Sequence, residues 1–126
     1  MLMAVKAQDS GKKYSVKGMT KMLYELRIYD VVPGKMQTIL DRFRDHTIQI
    51  FAKHGMKVTQ FWVDADETKN RLYYVLEHPD AASREHNFKA FTEDQQWLDL
   101  KERTEQAGPL YEKIETIYMH NAPFFN

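Results

Sequence analysis

The sequence predicts an α+β fold, a four-stranded antiparallel sheet with helices on one face. Three observations lead there. Residues 24–55, YELRIYDVVPGKMQTILDRFRDHTIQIFAKHG, run from an alternating strand through a Pro-Gly turn into a helix with an apolar stripe. Two strand-like stretches with a polar loop between them follow, and two helical patterns precede a last strand. At 126 residues the chain suffices for one domain with a real hydrophobic core and is too short for two.

Residues 1–21 lack sustained periodicity and are rich in Lys, Ser and Gly, so they read as a flexible leader outside the core. Their Lys excess without Arg is weakly like a transit peptide, and an upstream start followed by a true start at Met22 fits as well. The domain then spans 22–120. Its first strand, Met22 to Val32, alternates Tyr24, Leu26 and Ile28 with Glu25, Arg27 and Tyr29. Pro33-Gly34 turns the chain, and Met36, Ile39, Leu40, Phe43, Thr47, Ile50 and Phe51 recur at helical spacing until Lys53-His54-Gly55 closes the helix. Met56 to Asp64 and Arg71 to His78 are strands rich in Val, Phe, Trp and Tyr, joined by the polar loop from Ala65 to Asn70. Asp80 caps a short helix carrying Arg84, Phe88 and Phe91. Thr92-Glu93-Asp94-Gln95 has capping-box spacing and opens another, which Gly108-Pro109 ends. Leu110 to His120 forms the last strand, and residues 121–126 are a tail. The order β-α-β-β-α-α-β gives a ferredoxin-like sheet with strands in the spatial order four, one, three, two.

Both faces of that sheet carry large apolar groups, so the side away from the helices needs a second layer. The same sheet from another copy supplies it, which makes the chain a homodimer. Lys plus Arg equals Asp plus Glu at 18 each, with no basic block, which argues against a nucleic-acid partner. No cysteine is present, which removes disulfides and thiolate chemistry. No apolar run approaches the ~20 residues of a membrane span and no secretory core forms, so the expectation is a soluble, cytoplasmic protein without membrane insertion. No histidine pair has metal-ligand spacing, and there is no Gly-rich phosphate loop or G-x-S-x-G, so neither a metal nor a cofactor is expected.

The strand YELRIY, the turn PGKM, the helix pieces RFRDHT and FAKHG, and later DAASREHNF and DQQWL resemble the NIPSNAP family in order and spacing, over roughly Met22 to Met119. The matching positions include Glu25, Arg27, Tyr29, Arg42, His46, Thr47, His54, Asp80, Arg84 and Trp97. The chain departs at the third strand, where a more typical His-x-Trp-x-Tyr alternation is replaced by Tyr74, Leu76 and His78. The resemblance implies a dimeric α/β barrel, an architecture shared with cofactor-independent oxygenases, lactone isomerases, cyclases and haem-degrading enzymes, with pockets between a sheet and its own helices. For animal relatives it implies mitochondrial association and protein partners.

Candidate chemistry follows from the residues. His46, on the inner stripe between Phe43 and Ile50, projects toward the sheet, where a neutral imidazole serves as a general base. Arg27 and Tyr74 would stabilise oxyanion charge. The competing reading of His46 is a buried, hydrogen-bonded histidine. That of Arg27 is a Glu-Arg-Glu ion-pair network in which Glu77, placed on the face of Glu25 and Arg27, supplies the second acid. Trp62, Tyr74, Tyr118 and Met119 could line an apolar pocket, with Glu77 and His78 among its substrate-binding groups, although aromatic residues on strands more often belong to the core. The expected function is a homodimer binding a small, partly apolar or aromatic molecule, as a cofactor-independent oxygenase, isomerase or cyclase. The alternative is a non-catalytic protein-interaction scaffold.

Overall fold

The computed structural model describes residues 21–125. The leader expected over residues 1–21 lies outside them except for Lys21. Four strands, β1 (Leu23–Val31), β2 (Lys57–Val63), β3 (Arg71–His78) and β4 (Tyr111–Met119), form one antiparallel sheet in the order β2-β3-β1-β4, the order expected from the sequence. Helices α1 (Met36–Arg42), α2 (Ile48–Lys53), α3 (Ala81–Thr92) and α4 (Gln95–Thr104) supply the second layer.

Strand register sorts the side chains into two faces. On the helix side, Phe61, Tyr74, Arg27 and Thr116 form one cross-strand row, flanked by the row Val58, Leu76, Glu25 and Tyr118 and the row Val63, Leu72, Tyr29 and Ile114. A bulge between Val58 and Gln60 puts Val58 and Phe61 on the same side although they are three residues apart. The core forms where this face meets Ile39, Phe43, Ile50 and Phe51 of the first helical segment and Phe91 and Leu100 of the second. Phe61 stacks on Tyr74 at 5.3 Å between ring centroids, and Phe51 meets Phe91 at 4.5 Å. Tyr74 and Phe51, which are fully buried, contribute roughly 1.5–3 kcal/mol each, and the half-buried Phe61 less.

The opposite face carries the row Leu26, Val75 and Ile117 beside the row Trp62, Tyr73, Ile28 and Glu115. Trp62, Ile117 and Met119 are 48%, 41% and 38% exposed, so this apolar surface has no cover among the described residues.

Between α1 and α2 the helix widens into a π-helical turn at Phe43–Thr47. Its i→i+5 bonding advances each residue by less than the ~100° of an α-helix, so five residues lose most of one position in phase. The inward position therefore falls on Thr47, which is 2% exposed and donates its hydroxyl to the Arg42 carbonyl at 3.3 Å, and not on His46, which is exposed. Gly55 ends the segment at φ +77°, and an added Cβ would stand 3.1 Å from Asn87 Nδ2.

Asp80 caps α3 by accepting from the Ser83 backbone N–H at 2.7 Å. The cap of α4 is Asp94, accepting from the Gln96 backbone at 2.7 Å, while Thr92 still belongs to α3 and donates to the Lys89 carbonyl. The capping-box reading is corrected accordingly: a carboxylate two residues beyond Thr92 is the nearer acceptor for the free N–H groups of α4.

Candidate functional site

The helix-side face buries charge at the end where β1 begins and β3 finishes. Alternation along β1 sends Glu25 and Arg27 inward, and Glu25 is completely buried. Its carboxylate accepts four hydrogen bonds: from Arg27 Nη1 at 2.8 Å, from Arg84 Nε at 3.0 Å and Nη2 at 2.9 Å, and from His78 Nε2 at 2.9 Å. Arg84 reaches it from the first turns of α3, which Asp80 starts in the right place. Burial alone would raise the carboxyl pKa. The hydrogen bonds from His78 and Arg84 and the charge of Arg27 overcome this and lower it from 4.5 to about 2. Glu25 is thus an ionised acceptor, and His78 must donate through Nε2, which leaves its buried Nδ1 without a partner among the described residues.

Arg27 Nε donates to the Tyr74 hydroxyl at 2.8 Å, and the hydroxyls of Tyr74 and Tyr29 share a bond of 2.8 Å. Burial works to discharge Arg27, but Tyr74, Tyr29 and Glu25 hold its pKa above the ordinary arginine range. Burial, then Tyr29, push the Tyr74 phenol well upward, so it remains neutral. One carboxylate therefore serves two guanidiniums, and the cluster carries a surplus positive charge. Phe88 lies against both cations, 4.8 Å from the Arg27 carbon Cζ and 4.3 Å from that of Arg84.

The cluster opens toward a groove of about 710 Å³ along one side of α3, lined by Arg84, Phe88, Lys89 and Thr92 with Ala82, Glu85 and His86. Tyr118 lies beside it, its ring 5.6 Å from Arg84 Cζ. Although Tyr118 faces the helix side, it is 49% exposed, because the helices cover β4 incompletely. Its hydroxyl has no hydrogen-bond partner among the described residues, and Arg84 Nη1 has only a 3.4 Å contact with the exposed Glu85. These are the polar groups a small anion could reach.

Arg27, Tyr74, His78 and Tyr118 therefore share one face, as a site requires. His46 does not join them: the π-helical turn places it outside, in a separate groove that it lines with Ile50, Gln96, Asp99, Leu100 and Arg103. Glu77 pairs with Tyr24 and Lys57 and so lies on the open face, opposite Glu25. The acid–cation network exists, but its third member is Arg84 from a helix, not Glu77. Trp62 and Met119 also belong to the open face, so they do not share a pocket with Tyr74 and Tyr118. Arg84 and Phe88 were missed as site residues, although their spacing with Phe91 on a helix capped at Asp80 was the available signal. Among the described residues no cluster of three His, Asp or Glu could hold a metal, and no helix is long and apolar enough to cross a membrane.

The NIPSNAP family model matches residues 24–124. The chain belongs to the NIPSNAP family. Solved NIPSNAP structures have the same fold. An uncharacterized NIPSNAP domain protein from Burkholderia xenovorans is 21% identical with a TM-score of 0.71, covering 82% of this chain and 98% of its own. A NIPSNAP family protein from Agrobacterium tumefaciens is 24% identical with a TM-score of 0.72, covering 82% and 96%. A second Burkholderia NIPSNAP-like protein reaches a TM-score of 0.74 at 17% identity, covering 85% and 90%. At these identities the likeness extends to the fold alone. No curated protein matches the chain. The NIPSNAP positions Glu25, Arg27, Asp80 and Arg84, quoted above for the resemblance, are members of the buried cluster or its cap.

Proposed function

We propose that this NIPSNAP chain is a homodimeric binding protein that takes a small, partly aromatic carboxylate in the groove along α3, at the end beside Tyr118 of β4. One observation carries the reading: two guanidiniums share a single buried carboxylate, and the less buried one, Arg84, faces the groove beside Phe88 and the Tyr118 hydroxyl, which has no partner among the described residues. The surplus charge attracts the anion, Arg84 Nη1 and Tyr118 offer hydrogen bonds, and Phe88 offers an aromatic surface. Acid–base catalysis through His46 does not belong to this reading, because His46, Arg27 and Tyr74 do not converge on one space and the latter two are already engaged. The homodimer rests on the apolar open face, where Leu26, Val75 and Ile117 of two copies would pack at about 10 Å between sheets.

Two measurements test this. Native mass spectrometry should give twice the 15.0 kDa chain mass, and Val75→Asp should reduce it to the single chain. Calorimetric titration with naphthoate should show binding that weakens at least tenfold in Arg84→Met and in Tyr118→Ala, while naphthalene methanol binds poorly. Equal affinity of the acid and the alcohol in the unaltered protein would sink the anion site.

A further inference from the structure

A second groove, of about 350 Å³, lies on the opposite flank of the subunit, between the π-helical turn and the edge strand β2. Leu40, Phe43, Ile48 and Phe61 line it, with Gln37 and Arg44 at the rim. An apolar cavity of about 150 Å³ accepts one benzene ring, so this groove has room for about two.

The segment after β4 offers two such rings: Phe124 and Phe125 are 88% and 66% exposed, the barest large apolar residues among those described. Pro123 has no N–H to give, and the Phe125 N–H bonds back to the Ala122 carbonyl at 2.9 Å. The segment is therefore a turn that displays side chains and not a strand seeking a ladder.

We infer that the Phe124-Phe125 turn of one copy docks into the Leu40–Phe43–Ile48–Phe61 groove of a second copy, latching the dimer. The inference rests on the face-to-face homodimer proposed above. Within one chain, β4 and β2 are opposite edges of the sheet, three strand spacings or about 14 Å apart, with the helix layer over one face. Asn121 Nδ2 donates to the Tyr24 hydroxyl at 3.4 Å, which holds the segment's start on the open-face side, where the second sheet stacks. Met119 to Ala122 spans about 10 Å when extended and the turn from Ala122 to Phe125 adds at most about 7 Å, enough to cross the ~10 Å between sheets and bring both rings to the partner's edge strand. The last part of that edge is apolar, since Trp62 and Val63 at the end of β2, next to the groove residue Phe61, are 48% and 47% exposed.

The chain has no cysteine, so single substitutions give clean cross-links. Ala122→Cys and Gln37→Cys chains are mixed, allowed to exchange subunits and treated with a short bismaleimide, each variant alone serving as control. The expected product is a species of twice the 15.0 kDa chain mass that needs both variants and falls at least tenfold when the Ala122→Cys chain also carries Phe124→Ser and Phe125→Ser. Absence of that product from a mixture that still sediments as a dimer overturns the latch and leaves the dimer standing. An intrachain link in the double-cysteine chain diluted with unaltered protein overturns it equally, since the turn then docks on its own subunit. Sedimentation of the unaltered protein as a monomer overturns the latch together with the dimer reading on which it rests.

Discussion

Replacing Glu25 by Gln keeps the volume of the side chain and removes the one negative charge that Arg27 and Arg84 share. The stabilisation follows from proton affinity. A carboxyl whose pKa falls from 4.5 to about 2 on folding contributes about 3 kcal/mol at neutral pH, at ~1.4 kcal/mol per tenfold change in affinity. Loss of one partner from a buried ion pair gives a similar range, roughly 3–5 kcal/mol. Because the folded value is the lower one, this contribution is complete above pH 4.5 and is lost as pH falls toward 2. By linkage, about 1.4 kcal/mol of it survives at pH 3. Urea unfolding at fixed protein concentration, which holds any dimer contribution constant, should place Glu25→Gln about 3 kcal/mol below the unaltered protein at pH 7, with the gap narrowing steeply by pH 3. A gap of the same size at both pH values, or one under about 1 kcal/mol at pH 7, would refute the picture of a buried ionised carboxylate holding two cations.

Tyr74→Phe strips Arg27 Nε of its acceptor and should cost about 1–3 kcal/mol in the same urea assay, because the donor stays buried without a partner. Gly55→Ala should lower stability by roughly 1–2 kcal/mol, since the position needs φ +77° and the new methyl meets Asn87, a loss readable by thermal melting. Asp94→Ala removes the α4 cap together with the partner of Lys53 and His54, and should lower the melting temperature and speed amide exchange in the first turn of α4. His46→Ala should leave both stability and naphthoate affinity near those of the unaltered protein, in keeping with an exposed residue outside the α3 groove.

The strands and helices were legible because their signals are local. Alternation from Leu23 to Val31, the Pro33-Gly34 turn and the Asp80 cap each act within a few residues of themselves. The site was half legible. Arg27 and Tyr74 sit together because each is central in its strand, and an arginine beside a glutamate two residues away already marks a buried pair. Which acid or base completes that pair is a matter of parity: moving one place along β3, from Glu77 to His78, crosses from one face of the sheet to the other. Strand composition does not encode that parity, since Tyr73 and Val75 are as apolar as Leu72 and Leu76. The bulge near Thr59 adds a similar slip in β2. Arg84 comes from a helix nearly sixty residues downstream of Glu25, and only the packed structure brings the two together.

The wide turn at Phe43–Thr47 also bears on how this stretch tolerates changes in length. With α-helical phase throughout, His46 would share the inner stripe with Ile39, Phe43 and Ile50, and Thr47 and Phe51 would lie toward its rim. The extra width instead admits Thr47 and Phe51, so the segment carries one residue more than its inward pattern requires. A single deletion among Arg44, Asp45 and His46 would close the wide turn into an ordinary α-helical one and keep Thr47, Ile50 and Phe51 pointing inward. The same deletion one turn later, within α2, would rotate only the residues after it, carrying Lys53, His54 and Gly55 about 100° away from Asp94 and Asn87. The helix thus holds a spare residue at one place along its length.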